Sequence, residues 1–326
     1  MSTMAGRHLK ALIAAYHDRD DLAFRRATQA IIEEEEAKRH TALARDLRRL
    51  LASGGRSVAV DASPAPEPPR DRDTNVPLAD VSPPGAISLD DLVFPRSVGD
   101  RLGRLVEEVA HWPALDVAGV PRRNRILLYG PPGCGKTTVA AAISGELGLP
   151  LLTMRIDSVI SSYLGETAAN LRHLFDYAAS APSVVLLDEF DSLGKLRDDP
   201  TDHGELRRVV NATLQLIDTY RGPSLLIAAT NSPEILDAAI WRRFDEVVEL
   251  PLPTREEVER LLRRLLRPEH GPASDRVVDS LVGLPHAAVE YAVNSARRRA
   301  VVAGRPRLSV EDLDVAVGES ASRPWT

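Results

Sequence analysis

The sequence predicts an α/β fold: a three-layer domain built on a parallel sheet, with a small all-α unit before it and a helical subdomain after it. Five short apolar runs, at 126–129, 151–156, 184–187, 225–229 and 247–250, are near-continuous rather than alternating. That is the pattern of parallel strands buried on both faces. Longer helix-periodic stretches separate the runs, as a layered α/β domain requires. Between the first run and a helix-compatible stretch at 138–147, residues Gly130 to Thr137 read Gly-Pro-Pro-Gly-Cys-Gly-Lys-Thr. They fill every fixed position of the G-x-x-x-x-G-K-[ST] loop, whose amides and following helix N-terminus converge on one polyphosphate.

A chain of 326 residues has room for one large domain and a small one, and an apolar content of 44% supports a packed core. The balance of 41 basic against 47 acidic residues, a net charge of −6, argues against a nucleic-acid coat protein. The single cysteine, Cys134, precludes an intrachain disulfide and fits a reducing cytosol. No run approaches 18 apolar residues and no basic-then-apolar signal opens the chain. The expectation is a cytoplasmic protein without membrane insertion.

Residues 1–54 read as helices packed as a hairpin or bundle. Leu9, Leu12, Ile13 and Tyr16 make one apolar face, Leu22, Phe24, Ala27, Ile31 and Ile32 a second, and Leu43, Leu47, Leu50 and Leu51 a third. The run Glu33 to Glu36 suits either a docking patch or a solvated helix face. Residues 55–87, with Pro64, Pro66, Pro68, Pro69, Pro77, Pro83 and Pro84, read as a semi-extended tether. The large α/β subdomain occupies 88–253. A small helical subdomain occupies 254–318, with start signals at Thr254 to Glu257 and Ser309 to Asp312, and 319–326 is a tail. Trp325 in that tail suits a docking contact or a disordered end.

In the loop, Pro132, Gly133, Cys134, Gly135, Lys136, Thr137 and Thr138 are the candidate nucleotide contacts, and Thr137 supplies a hydroxyl for Mg²⁺. The run 184–187 ends in Asp188-Glu189, at the strand end that faces the ligand crevice of a parallel sheet. Asp188 is the candidate partner of the same ion and Glu189 the candidate base for the attacking water, the bland alternative being a helix N-cap cluster. Asn231, after the run 225–229, can donate to the γ-phosphate and fix the water, or simply form the turn before Ser232-Pro233. Arg242 and Arg243 sit between apolar neighbours, either aimed at a transferring phosphoryl group or paired with Asp237 or Glu246. Spacing does not decide whether they serve their own nucleotide or a neighbour's. Cys134 at a helix N-terminus suits a lowered thiol pKa and redox control, or only a small residue the loop needs.

The stretch from about Asp90 to Val317 resembles the ATPase module of the AAA family, a P-loop nucleotide hydrolase with a helical lid. The matches run in order through Leu89-Asp90-Asp91-Leu92, Gly130 to Thr137, Asp188-Glu189, Asn231 and Arg242-Arg243-Phe244-Asp245. Ser162-Tyr163-Leu164-Gly165-Glu166-Thr167, then Leu171 and Leu174-Phe175, are closest to the katanin- and spastin-like branch. The resemblance implies ATP and Mg²⁺ as ligands, Arg242 and Arg243 acting in trans, and a homo-oligomeric ring, typically a hexamer. It sets Val93, His286 and Ala287 beside the adenine, within a stretch Gly283-Leu284-Pro285-His286-Ala287 that departs from the family's usual small residues and lacks its second sensor arginine. It makes Tyr163 and Leu164 a pore loop that grips protein substrate, where the plainer reading is Tyr163 as a cover on the core. A second pore loop falls near 197–205, where Asp198, Asp199, Asp202 and His203 form an acidic loop or a metal cluster. The implied function is ATP-driven remodelling, unfolding or disassembly of proteins recruited by the N-terminal helices. The alternative is a nucleotide-dependent switch or scaffold, for instance one regulating a separately encoded peptidase. No HExxH metal site is present in the chain.

Overall fold

The chain divides into two compact units, Met1–Ala65 and Pro66–Thr326. The structure, a computed structural model, describes residues 27–28, 30–32, 68–71, 75–155, 167–193, 205–266 and 273–325. In the first unit the described residues are helical, with Ala27 and Ile32 of the second expected face buried. The faces around Leu9 and Leu43 and the run Glu33 to Glu36 lie outside the described residues, as do Tyr163, Leu164 and the acidic cluster at 198–203.

The second unit is built on a six-stranded sheet of order β1-β3-β4-β5-β2-β6. Its strands are β1 (Asp80–Ser82), β2 (Arg125–Tyr129), β3 (Leu151–Arg155), β4 (Val184–Asp188), β5 (Leu225–Thr230) and β6 (Glu246–Glu249). β2 to β6 are the five apolar runs, all parallel, with ends displaced by at most one residue. Alternate strand residues feed two cores, which is why the runs read as continuous. Ile126, Leu128, Val184 and Leu186 face α1 (Arg96–Ala110), α2 (Trp112–Val117) and α3 (Lys136–Leu147). Leu127, Val185, Leu187 and Leu226 face α4 (Thr167–Ser180) and α5 (Glu205–Thr219). A short α6 (Ala238–Trp241) joins β5 to β6.

Four helices, α7 (Arg255–Leu265), α8 (Asp275–Leu281), α9 (His286–Val302) and α10 (Val310–Ala321), close a third core around Val258, Leu262, Val289 and Ala316. Thr254 and Ser309 cap α7 and α10 in capping boxes, as their sequence signals predict. The tail is shorter than expected, because α10 runs on to Ala321. Trp325 folds back, its indole Nε1 donating to Ser320 O at 2.8 Å and its ring meeting Tyr291 edge-on at 6.0 Å.

β1 corrects the sequence reading. It lies in the stretch assigned to the tether, yet it pairs antiparallel with β3, Asp80 opposite Thr153 and Ser82 opposite Leu151. Leu78 and Ala79 enter the core against α4 and α5. A three-residue strand among prolines offers no periodicity to read. A chain beginning at Ser88 therefore loses an edge strand and the burial of Leu78. We expect it to be less stable than a chain beginning at Pro66 by roughly 2–4 kcal/mol. Its thermal midpoint in calorimetry should be about 5–10 °C lower; equal midpoints would contradict the assignment of β1 to the folded unit.

Candidate active site

Parallel strands bring their C-terminal ends to one edge. There Tyr129 stands opposite Thr230 and Leu187 opposite Ala228, so the phosphate loop, Asn231 and the Asp188-Glu189 pair emerge side by side. The chain leaves β2 through Gly130 at φ 143°, where a Cβ would lie 2.1 Å from the Leu250 carbonyl oxygen. No other residue fits between the two backbones. Gly133 and Gly135 take φ of 73° and 86°, and Gly135 ends the loop as the N-cap of α3. The first-turn amides of α3 have no intrahelical acceptor and face the loop.

Lys136 is only 7% exposed, and its Nζ donates to the carbonyls of Gly130 (2.7 Å) and Pro131 (2.9 Å). Burial pulls the ammonium below its ordinary value, and the nearby Cys134, Asp188 and Asp191 offset part of that. Thr137 Oγ1 donates to Asp188 Oδ2 at 3.2 Å, joining two groups 51 residues apart. The other carboxylate oxygen of Asp188 accepts from the Glu189 amide at 2.9 Å. Glu189 itself sits at φ 54°, a left-handed conformation that costs a non-glycine residue of order 1–3 kcal/mol and recurs at functional sites. The turn is pinned by Phe190, whose amide donates to Ala229 O at 2.9 Å and whose buried ring meets Phe244 edge-on at 5.6 Å. Asn231 is exposed beside it. Thr230 Oγ1 contacts buried Asp191 at 3.4 Å and accepts from the Ser232 amide at 3.1 Å, so the Thr-Asn step is braced by a residue to which the sequence assigned no role.

The two arginines differ. Arg242, the C-cap of α6, is exposed. Arg243 pairs with Asp218 at the end of α5, a partner absent from the sequence reading, while its buried Nε has no partner among the described residues. Of the two partners weighed from sequence, Asp237 caps α6 through the Ile240 amide (2.9 Å) and Glu246 pairs with Arg101 and Arg123. The pair Arg243–Asp218 spans 25 positions between different elements and leaves no local trace in sequence.

His286 and Ala287 meet the loop from the lid, and Val93, which precedes α1, meets His286. His286 Nε2 lies 2.8 Å from Val93 O, so this nitrogen carries the proton, and the Ala287 amide donates to Gly133 O at 3.0 Å. A Cβ on Gly133 would lie 3.0 Å from that of Ala287. Burial holds the His286 pKa below 6.5, against smaller opposing effects of Val93 and Glu257. The folded chain thus refuses a proton that the unfolded chain accepts. This group costs nothing above the ordinary histidine value, and stability falls as pH drops through it. We expect the thermal midpoint to fall between about pH 7 and about pH 5.5, and to fall less in His286→Gln; equal falls would exclude His286 as a source.

Of the two readings of Cys134, the structure excludes the lowered thiol pKa. It is buried, and desolvation pushes the thiol up, outweighing Lys136 and the His286 backbone. The small-residue reading is the one the geometry supports.

Residues 126–252 match the ATPase family associated with various cellular activities (AAA). The chain is 37% identical over 322 residues, 98% of its own length and 96% of the relative's, to the Sinorhizobium fredii protein named uncharacterized AAA family ATPase y4kL. It is 38% identical over 209 residues to the ATP-dependent zinc metalloprotease FtsH 3 of Sphaerobacter thermophilus, covering 61% of this chain and 42% of that one. With the proteasome-activating nucleotidase of Pyrococcus furiosus it shares 41% identity over 155 residues, 45% of this chain and 39% of that one. It thus spans less than half of these last two relatives. Its fold matches the FIGL-1 AAA domain with a TM-score of 0.60 at 23% identity, over 73% of this chain and 85% of that one. Among the described residues no helix is long and apolar enough to cross a membrane. A phosphate loop and strand-end carboxylates meeting at one sheet edge, and 37% identity to an AAA family ATPase over nearly the full length, lead to one conclusion: this chain is an ATPase of the AAA family.

Proposed function

We propose that the chain hydrolyses Mg-ATP in a homo-oligomeric ring, a hexamer by resemblance, and uses the turnover to thread and remodel protein substrates. The observation that carries the hydrolytic part is the approach of Thr137 Oγ1 to Asp188 Oδ2 at 3.2 Å beside the buried Lys136. A hydroxyl and a carboxylate together are the hard oxygen donors magnesium takes when phosphates complete its shell. Thr137 and Asp188 would hold Mg²⁺, which would offset the negative charge of the phosphates. Lys136 exchanges its loop carbonyls for phosphate oxygens, and the amides from Gly133 to Thr138 cradle the chain. Glu189 accepts the proton of the attacking water, which Asn231 orients. Arg242, and Arg243 once released from Asp218, reach the phosphate of the neighbouring copy.

A protein as substrate is supported by relatives whose names join ATP turnover to protein breakdown, the FtsH metalloprotease and the proteasome-activating nucleotidase. Tyr163 and Leu164 are the proposed grip, and the N-terminal helices the recruiting element. Tyr163→Ala tests the threading part: ATP turnover should stay within about twofold while processing of protein is lost. Processing that survives the substitution favours the switch or scaffold instead. Pull-down with Glu189→Gln and ATP, comparing the full chain with one beginning at Pro66, tests recruitment. Identical captured proteins would remove the role of the helices.

A further inference from the structure

The segment 68–82 does more than end the tether. Asn170 Nδ2 donates to Asp71 Oδ2 at 2.8 Å across 99 residues, and the two side chains are 2% and 5% exposed. Burying a carboxylate is costly unless it is hydrogen-bonded, so this contact is a specified one. A local turn presents Asp71: its amide donates to Val76 O, its carbonyl accepts from the Asn75 amide, both at 2.9 Å, and Asn75 takes a left-handed φ of 56°. Arg70 closes the turn on Asn75 O at 3.1 Å. A few residues on, β1 pairs with β3. Asn170 lies in the first turn of α4, after the buried Thr167.

One short segment therefore holds both stems of the β3–α4 connection, β3 by strand pairing and α4 by the Asp71–Asn170 bond. Tyr163 and Leu164 belong to that connection in sequence. We propose that Asp71 is a positioning residue: its bond to Asn170, together with the β1–β3 pairing, fixes β3 and the start of α4, the described elements that flank Tyr163 and Leu164 in sequence. The inference rests on the reading of Tyr163 and Leu164 as the grip. A grip transmits force only as far as its stems are stiff, and here the stiffness comes from a segment far upstream.

Two measurements on the full chain test it. The variants are Asp71→Ala, the exchanged pair Asp71→Asn/Asn170→Asp, which keeps one donor facing one acceptor, and Tyr163→Ala. In amide hydrogen exchange, Asp71→Ala should speed exchange over the first turns of α4 by about tenfold or more without a matching rise in α9, and the exchanged pair should restore most of the protection. In ATP turnover, reduced and carboxymethylated lactalbumin serves as a permanently unfolded probe. Asp71→Ala should keep basal turnover within about twofold and lose most of the stimulation by the probe, and the exchanged pair should regain it. Unchanged exchange in α4, a rise spread evenly over the chain, or no recovery in the exchanged pair overturns the latch. Loosened stems with full stimulation overturn its positioning role. If stimulation is missing in the natural chain, or survives Tyr163→Ala, the threading reading fails by itself, and the exchange data still decide the latch.

Discussion

Glu189→Gln should lower ATP turnover by about 10²–10⁴-fold, the usual contribution of a positioned general base, while ATP stays bound. Glutamine keeps the length and shape of the side chain and tolerates the left-handed φ of 54° as glutamate does. What it loses is the basicity of the carboxylate, since a neutral amide does not take a proton near neutral pH. The Thr137–Asp188 contact and the Lys136 bonds do not involve the Glu189 side chain, so phosphate binding should persist. Single-turnover hydrolysis together with nucleotide retained after gel filtration separates the two effects. Lys136→Ala should lose the nucleotide, and turnover with it. A Glu189→Gln chain that hydrolyses at the natural rate would reassign the base.

Arg242→Ala should cost about 10³–10⁵-fold in turnover, as expected for a guanidinium delivered to a transferring phosphoryl group. Binding of ATP should change little, because Arg242 stands exposed at the end of α6 and bonds to none of the loop residues. Turnover and ATP affinity, each measured across a range of protein concentration, check this. Arg243→Ala carries a second effect, since it leaves the Asp218 carboxylate without its ion pair. Its loss of activity should come with a lower thermal midpoint, and Arg242→Ala should show the loss of activity alone. Natural turnover in Arg242→Ala would remove this arginine from the chemistry.

These expectations grow from features that were legible in sequence to different degrees. The five parallel strands were legible because each is buried on both faces and so reads as an unbroken apolar run. The phosphate loop was legible because its glycines answer to backbone constraints, such as the 2.1 Å approach of a Cβ on Gly130 to the Leu250 carbonyl. β1 was hidden, being three residues long and set among prolines. Asp71–Asn170 and Arg243–Asp218 were hidden for another reason: they join residues distant in sequence, and a lone Asp or Arg carries no mark of its partner. The choice between the two readings of Cys134 was not legible, because the helix N-terminus and burial pull a thiol in opposite directions, and only the fold reveals that burial is the larger.

In the proposed ring, the site at Gly130 to Thr137 is half of an active site and is completed by a second copy. Mixing Lys136→Ala chains with Arg242→Ala/Arg243→Ala chains tests it most directly. Each is inactive alone, but a mixed interface joins the intact loop of one chain to the intact arginines of its neighbour. ATP turnover in the mixture should exceed that of either parent and rise with total concentration. A mixture as inactive as its parents, although the two chains co-assemble, would contradict it.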